Sequence, residues 1–140
     1  MITVLALLIL LLSLLAWLGQ LLAAAAPRLA ERLTLIEARA DVDPTFYRDV
    51  RAECAWDALT LWTLVAAAVL LLFSQPSWAI FGLFGGGMYV YFAGRGIAQR
   101  LTLRHHGIAV GKPSTVLQAY VFLALWGVIG AVSVAWASHD

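Results

Sequence analysis

Four long apolar stretches, separated by shorter polar segments, dominate the pattern along this chain. They cover residues 2–26, 56–73, 78–94 and 115–137, and none of them contains Lys, Arg or Glu. A helix rises about 1.5 Å per residue, so about 20 apolar residues cross the hydrocarbon layer of a bilayer. The pattern therefore predicts an all-α integral membrane protein, a four-helix bundle formed by a single domain over residues 1–140.

The composition agrees with this class. Hydrophobic residues make up 63% of the chain and charged residues only 12%, whereas soluble domains average about a quarter charged residues. Too few polar side chains remain to cover a water-facing surface, so we expect the lipid bilayer to be the main partner. The net charge of +1 gives no basic patch for nucleic acid, and a single cysteine, Cys54, excludes a disulfide scaffold.

The positive charges predict how the chain is oriented. All nine Lys and Arg residues lie between the first and second apolar stretches or between the third and fourth, and the link 74–77 is uncharged. With four spans these two loops share one side of the membrane. The positive-inside rule then places both loops in the cytoplasm and both termini outside. We expect the location to be the inner (plasma) membrane of a bacterium.

The first charged loop contains signals for two helical segments. Apolar side chains recur at helical spacing over residues 28–39, which predicts a short amphipathic helix before the second span, either along the cytoplasmic interface or as an extension of the first span past Pro27. Asp43 and Pro44 then form a typical helix start, an N-cap acid followed by proline at the first helical position. We predict that the second helix begins near Pro44 and continues to Phe73.

Three acidic side chains on this second helix form what we name the acidic ridge: Asp49, Glu53 and Asp57. Their spacing places them on one face of the helix, where like charges repel. We therefore expect an electrostatic latch between the ridge and three arginines that follow the third span, namely Arg95, Arg100 and Arg104. A cation bound at the ridge is the alternative. We assign no metal site, because spacing along one helix does not show that ligands converge.

Small residues recur along the third and fourth spans. Gly82, Gly86 and Gly94 place small side chains on one stripe of the third span, and Gly127 and Ala131 repeat the pattern in the fourth. In a bilayer such stripes let helix backbones approach closely. We expect these residues to serve helix packing, in self-association or in docking to a larger membrane complex.

The segment FYRDVRA at residues 46–52 resembles the F-x-R-x-x-R-A stretch of the MAPEG family of membrane glutathione-linked enzymes. The resemblance implies a homotrimer that binds glutathione between protomers and acts on lipophilic substrates. Arg51 then matches the family's arginine that contacts the thiol cofactor. Two polar positions of the family motif are not matched, because its Asn and Glu fall on Ala55 and Ala58.

No catalytic motif such as G-x-S-x-G, H-E-x-x-H or C-x-x-C occurs in the chain. We therefore assign no catalytic residue and no cofactor, and we favour a non-enzymatic protein. The favoured function is helix packing in a homo-oligomer or as a subunit of a larger membrane complex. A glutathione-dependent enzyme and a protein that binds or transports cations at the acidic ridge are the two alternatives.

Overall fold

The computed structural model describes residues 2–139, and this part of the chain is all-helical. The helices in chain order are α1 (Ile2–Ala25), α2 (Pro27–Arg32), α3 (Pro44–Thr60), α4 (Trp62–Leu72), α5 (Trp78–His105) and α6 (Pro113–Ala137), with a short 3-10 turn at Arg39–Asp41. No β-strand forms within residues 2–139, where one isolated antiparallel bridge joins Val42 to Val110.

Three helices are long and apolar enough to cross a membrane. They are α1, the combined α3–α4 helix (Pro44–Leu72) and α6, which is consistent with an integral membrane protein. The apolar stretch 78–94 lies inside α5, but α5 continues as a polar helix to His105 and is not among the three. Gly107 ends it in a left-handed conformation (φ 73°), which glycine adopts without steric cost.

The predicted start of the second long helix is confirmed. The Asp43 side chain accepts a hydrogen bond from the backbone N–H of Thr45 at 2.7 Å, and Pro44 occupies the first helical position. Leu61 forms a turn between α3 and α4, yet its N–H still bonds to the Asp57 carbonyl at 2.8 Å. The two helices therefore follow each other with little interruption.

The amphipathic helix predicted over residues 28–39 is shorter than expected. It ends at Arg32, and Thr34 adopts a left-handed conformation (φ 55°). The chain then turns so that Ile36 and Glu37 become buried, with 6% and 3% of their surfaces exposed. Burial of these two side chains is incompatible with a helix that continues along the surface.

The four long helical segments pack side by side. The most extensive contact joins α5 to α6, and α5 also packs along α4 on another side. α1 packs against α3 and α4, whereas its contact with α6 is much smaller. Large hydrophobic side chains such as Leu11, Phe73, Ile80 and Val128 remain exposed on the outer surface. Such a large number of exposed hydrophobic side chains is consistent with an outer surface that is covered by lipid.

The two charged loops meet at one end of the helices, which we name the charged end. The backbone N–H of Asp43 bonds to the Ala109 carbonyl at 2.8 Å, next to the bridge between Val42 and Val110. The loop that precedes α3 and the loop between α5 and α6 are therefore joined by backbone contacts at the charged end.

Candidate functional site

One arginine contacts the acidic ridge directly. A guanidinium nitrogen of Arg95 lies 3.7 Å from a carboxylate oxygen of Asp49, and another forms an ion pair with Glu53. The Gln99 side chain donates a hydrogen bond to the same Asp49 carboxylate. These contacts join α5 to α3 at the charged end.

The other two arginines of the expected latch lie elsewhere, and this part of the prediction is wrong. Arg100 pairs with Glu37, and Arg104 is exposed with no ion pair in the part of the chain that the structure describes. The cause is helix geometry, because each residue turns an α-helix by about 100°. Positions five and nine residues after Arg95 therefore point about 140° and 180° away from it.

The pair between Glu37 and Arg100 is the most buried ion pair among residues 2–139. The carboxylate oxygen lies 2.8 Å from Nε and 2.6 Å from Nη2 of Arg100, and Nη1 donates to the Gly96 carbonyl at 3.1 Å. The guanidinium also lies 5.5 Å from the centre of the Phe46 ring. Sequence reasoning missed Glu37, although its position in the apolar run LIEA was a signal of burial.

A cavity of about 250 Å³ lies between the long helices beside this pair. We name it the interhelical cavity. One water needs roughly 10–15 Å³ on this measure, so the space can hold a small molecule. The charged side chains that line it are Glu37, Glu53, Asp57 and Arg100, and the uncharged polar ones include Gln20, Thr34, Thr115 and Gln118. The main apolar side chains that line it are Leu12, Leu15, Phe92, Phe122 and Trp126.

The cavity wall reaches the outer surface between α1 and α6. Leu15 and Phe122 line the cavity and are also 57% and 43% exposed. Here α1 and α6 touch little, and a hydrogen bond from Trp126 Nε1 to the Leu12 carbonyl at 3.1 Å connects them. The cavity therefore combines a polar end with apolar walls and an edge at the apolar exterior.

Asp57 differs from the other acids of the ridge. It is only 8% exposed, and its carboxylate has no hydrogen bond or ion pair with any residue that the structure describes. Asp57 lines the interhelical cavity, and it also lines a second cavity of about 300 Å³ on its other side, beside Trp56, Tyr91 and Arg95. Asp57 therefore lines both cavities, as Glu53 and Phe92 also do.

Most of the predicted packing residues contact helices of the same chain. A Cβ atom added to Gly86 would lie 2.7 Å from the Gly130 carbonyl oxygen, and one added to Gly82 would lie 3.1 Å from the Ala137 Cβ. Gly127 similarly faces α5. The expected close approach of helix backbones therefore occurs between α5 and α6 within one molecule.

Two of the predicted packing residues face outward. A Cβ atom added to Gly94 would meet nothing within 4 Å, and Ala131 is exposed. Sequence reasoning missed Gly85, whose added Cβ would lie 2.6 Å from the Leu64 backbone nitrogen in α4. Its signal was present in the run of three glycines at 85–87, through which α5 continues as a helix.

Arg51 lies at the end of α1. Its Nη2 donates a hydrogen bond to the Ala24 carbonyl at 3.1 Å, and it thereby satisfies one of the carbonyl groups that a helix C-terminus leaves free. This arginine, which the resemblance implies as a glutathione contact, is thus engaged in holding α1 to α3.

The described residues contain no group of three or more His, Cys, Asp or Glu side chains that could hold a metal ion. Comparison with known protein families, curated proteins and solved structures finds no match to this chain. The function is therefore inferred from the geometry of the chain's own residues.

Proposed function

We propose that this chain is a four-span integral membrane protein that binds a membrane-soluble amphiphile in the interhelical cavity. The observation that carries the proposal is the cavity itself, which has charged side chains at one end and apolar walls that continue to the exterior between α1 and α6. An amphiphile has the same division into polar head and apolar tail. It could enter from the bilayer without crossing water.

The fourth span of this proposal is the first part of α5. The stretch 78–94 has no charged residue, and it packs along both α4 and α6, which are apolar on their outer faces. We propose that the membrane ends near Arg95 and that the charged end lies in the cytoplasm, with both termini outside. The proposed location is the inner membrane of a bacterium.

The proposal replaces self-association as the favoured function. Of the five small residues expected to contact copies or other membrane subunits, Gly82, Gly86 and Gly127 have close neighbours inside the same chain, whereas Gly94 and Ala131 face outward. Arg51 is bound to the end of α1, so no observation favours glutathione binding at this residue. These internal contacts do not account for the interhelical cavity.

A cavity-filling variant tests the proposal. Gly19 lines the cavity, and an added Cβ there would meet nothing within 4 Å, so we expect the larger side chain of Gly19→Phe to occupy part of the cavity. We expect isothermal titration calorimetry in lipid nanodiscs to show saturable binding of a decyl amphiphile, either decyltrimethylammonium or 1-decanol. Gly19→Phe should abolish this binding.

Gly87→Phe is the matched control, because Gly87 also has open space around its Cβ position but does not line the cavity. It should bind the probes as the unmodified protein does. Absence of saturable binding above that of empty nanodiscs, or equal binding by Gly19→Phe, would contradict the proposal.

A further inference from the structure

The interhelical cavity has an excess of negative charge. Three carboxylates line it, those of Glu37, Glu53 and Asp57, together with one guanidinium. That guanidinium, from Arg100, is bound to Glu37, and Glu53 is bound from the other side by Arg95. The carboxylate of Asp57 remains without a counter-charge in contact.

The position of Asp57 makes this lone carboxylate unusual. It is more than nine-tenths buried and is the second residue of the apolar stretch 56–73 in the second long helix. Ionisable side chains inside a membrane protein are costly to bury and normally pair with a partner or serve a ligand. Among residues 2–139 Asp57 forms no hydrogen bond or ion pair, although Arg95 attracts it from the second cavity, and Asp57 lines both cavities.

Three aromatic rings, those of Phe92, Phe122 and Trp126, line the same cavity as this carboxylate. Phe92 borders both cavities together with Asp57. Its ring centre lies 6.0 Å from that of Trp126, which in turn stacks on Phe122 at 5.4 Å. The hydrogen bond of Trp126 to α1 holds the indole in place. Aromatic faces and a carboxylate together are the groups that bind organic cations, through cation–π attraction and ion pairing.

We infer that the interhelical cavity selects amphiphiles with a cationic head, of the alkylammonium class, and that Asp57 is the carboxylate that contacts the head. The inference rests on the proposed function, since it names the class of molecule that the same cavity binds. The aromatic wall of Phe92, Phe122 and Trp126 contacts the ammonium methyl groups and the first part of the tail. The outer edge between α1 and α6 leaves room for the rest of the tail.

Three probes with the same tail test the inference on the unmodified protein. They are decyltrimethylammonium, 1-decanol and decyl sulfate, which carry a positive, a neutral and a negative head. Calorimetry in nanodiscs of zwitterionic lipid, with empty nanodiscs subtracted, should show that the cation binds at least about tenfold more tightly than either other probe.

Asp57→Asn keeps the shape of the side chain and removes its charge. We expect it to weaken binding of decyltrimethylammonium about tenfold or more and to leave binding of 1-decanol unchanged. The matched control is Asp49→Asn, which removes a ridge carboxylate that does not line the interhelical cavity. This control should change the affinity for the cation by less than about twofold, as expected for a screened, exposed charge.

The outcomes separate this inference from the proposed function. Equal binding of the three probes, or unchanged cation binding by Asp57→Asn, overturns the charge selectivity and leaves amphiphile binding standing. Preference for decyl sulfate also overturns the inference, because it assigns the head to Arg100. Absence of saturable binding by all three probes overturns the proposed function itself.

Discussion

At the scale of single residues, Glu37 and Arg100 form the most buried ion pair among residues 2–139. The two residues are 63 positions apart in the chain, and their contact joins the first charged loop to α5. A buried charge that loses its partner is strongly destabilising, because neither water nor a neighbouring charge then solvates it. Glu37 can approach this closely because position 111 is glycine. A Cβ atom there would lie 2.9 Å from the Glu37 Cγ.

Removal of one partner should therefore destabilise the protein more than removal of both. Glu37→Gln leaves Arg100 buried without a counter-charge, and we expect a loss of about 3 kcal/mol in the free energy of unfolding. The double variant Glu37→Gln with Arg100→Met should lose less, because no isolated charge remains. Titration of the protein from mild detergent into SDS, followed by circular dichroism, measures both values.

The exposed pair between Lys112 and Asp41 gives the control. The Lys112 side chain is 67% exposed and lies 3.1 Å from the carboxylate. Lys112→Met should change the free energy of unfolding by less than about 1 kcal/mol. If the double variant proves less stable than Glu37→Gln, the two charges do not act as a pair.

At the scale of elements, α5 packs between α4 and α6. Adjacent glycines make this possible, because they face different neighbours. Gly85 lies against the backbone of Leu64 in α4, and Gly86 lies against Gly130 in α6. A helix without side chains at these points can approach two neighbours at once. Dispersion contacts then hold the elements together where water provides no hydrophobic driving force.

A matched pair of alanine substitutions tests whether the stripe of small residues on α5 packs against helices of the same chain. Gly86→Ala places a methyl group 2.7 Å from the Gly130 carbonyl oxygen, and we expect a loss of about 1–3 kcal/mol in the free energy of unfolding. Gly94→Ala meets open space and should leave stability unchanged or raise it by up to about 1 kcal/mol, owing to better helix propensity.

The same two variants distinguish internal packing from self-association. Light scattering after size-exclusion chromatography should give the same particle mass for both variants and for the unmodified protein. A smaller particle for Gly86→Ala, with an unchanged free energy of unfolding, would show instead that this glycine joins separate copies.

Local patterns predicted the elements better than they predicted the site. The start of α3 could be predicted from the sequence because Asp43 and Pro44 act on their immediate neighbours. The ion-pair partner of Arg100 could not be predicted from the sequence, since it depends on how the loop that follows α2 turns back towards α5. The acidic ridge was visible by spacing alone, but whether Asp57 has a partner depends on three-dimensional packing.

At the scale of the whole molecule, the arrangement of α5 decides how many times the chain crosses the membrane. α4 and α5 are joined by a short link and pack side by side, and α5 packs more extensively along α6. A helix packed between two membrane-spanning helices shares their depth. The four crossings that we propose would also explain why the two charged loops meet at one end, since three crossings would place the link at 74–77 on the same side as the loop before α6.

Labelling of single cysteines from one side of the membrane tests this topology. In a Cys54→Ala background, we expect Ser77→Cys and Ser138→Cys to react with a membrane-impermeant maleimide added to bacterial cells that express the protein. Ser114→Cys, at the charged end, should react only after the membrane is permeabilised. All three serines are exposed, so access to reagent rather than burial decides the result. Equal reactivity of Ser77→Cys and Ser114→Cys from one side would mean that α5 does not cross the membrane. The interhelical cavity would then not lie within the bilayer as proposed.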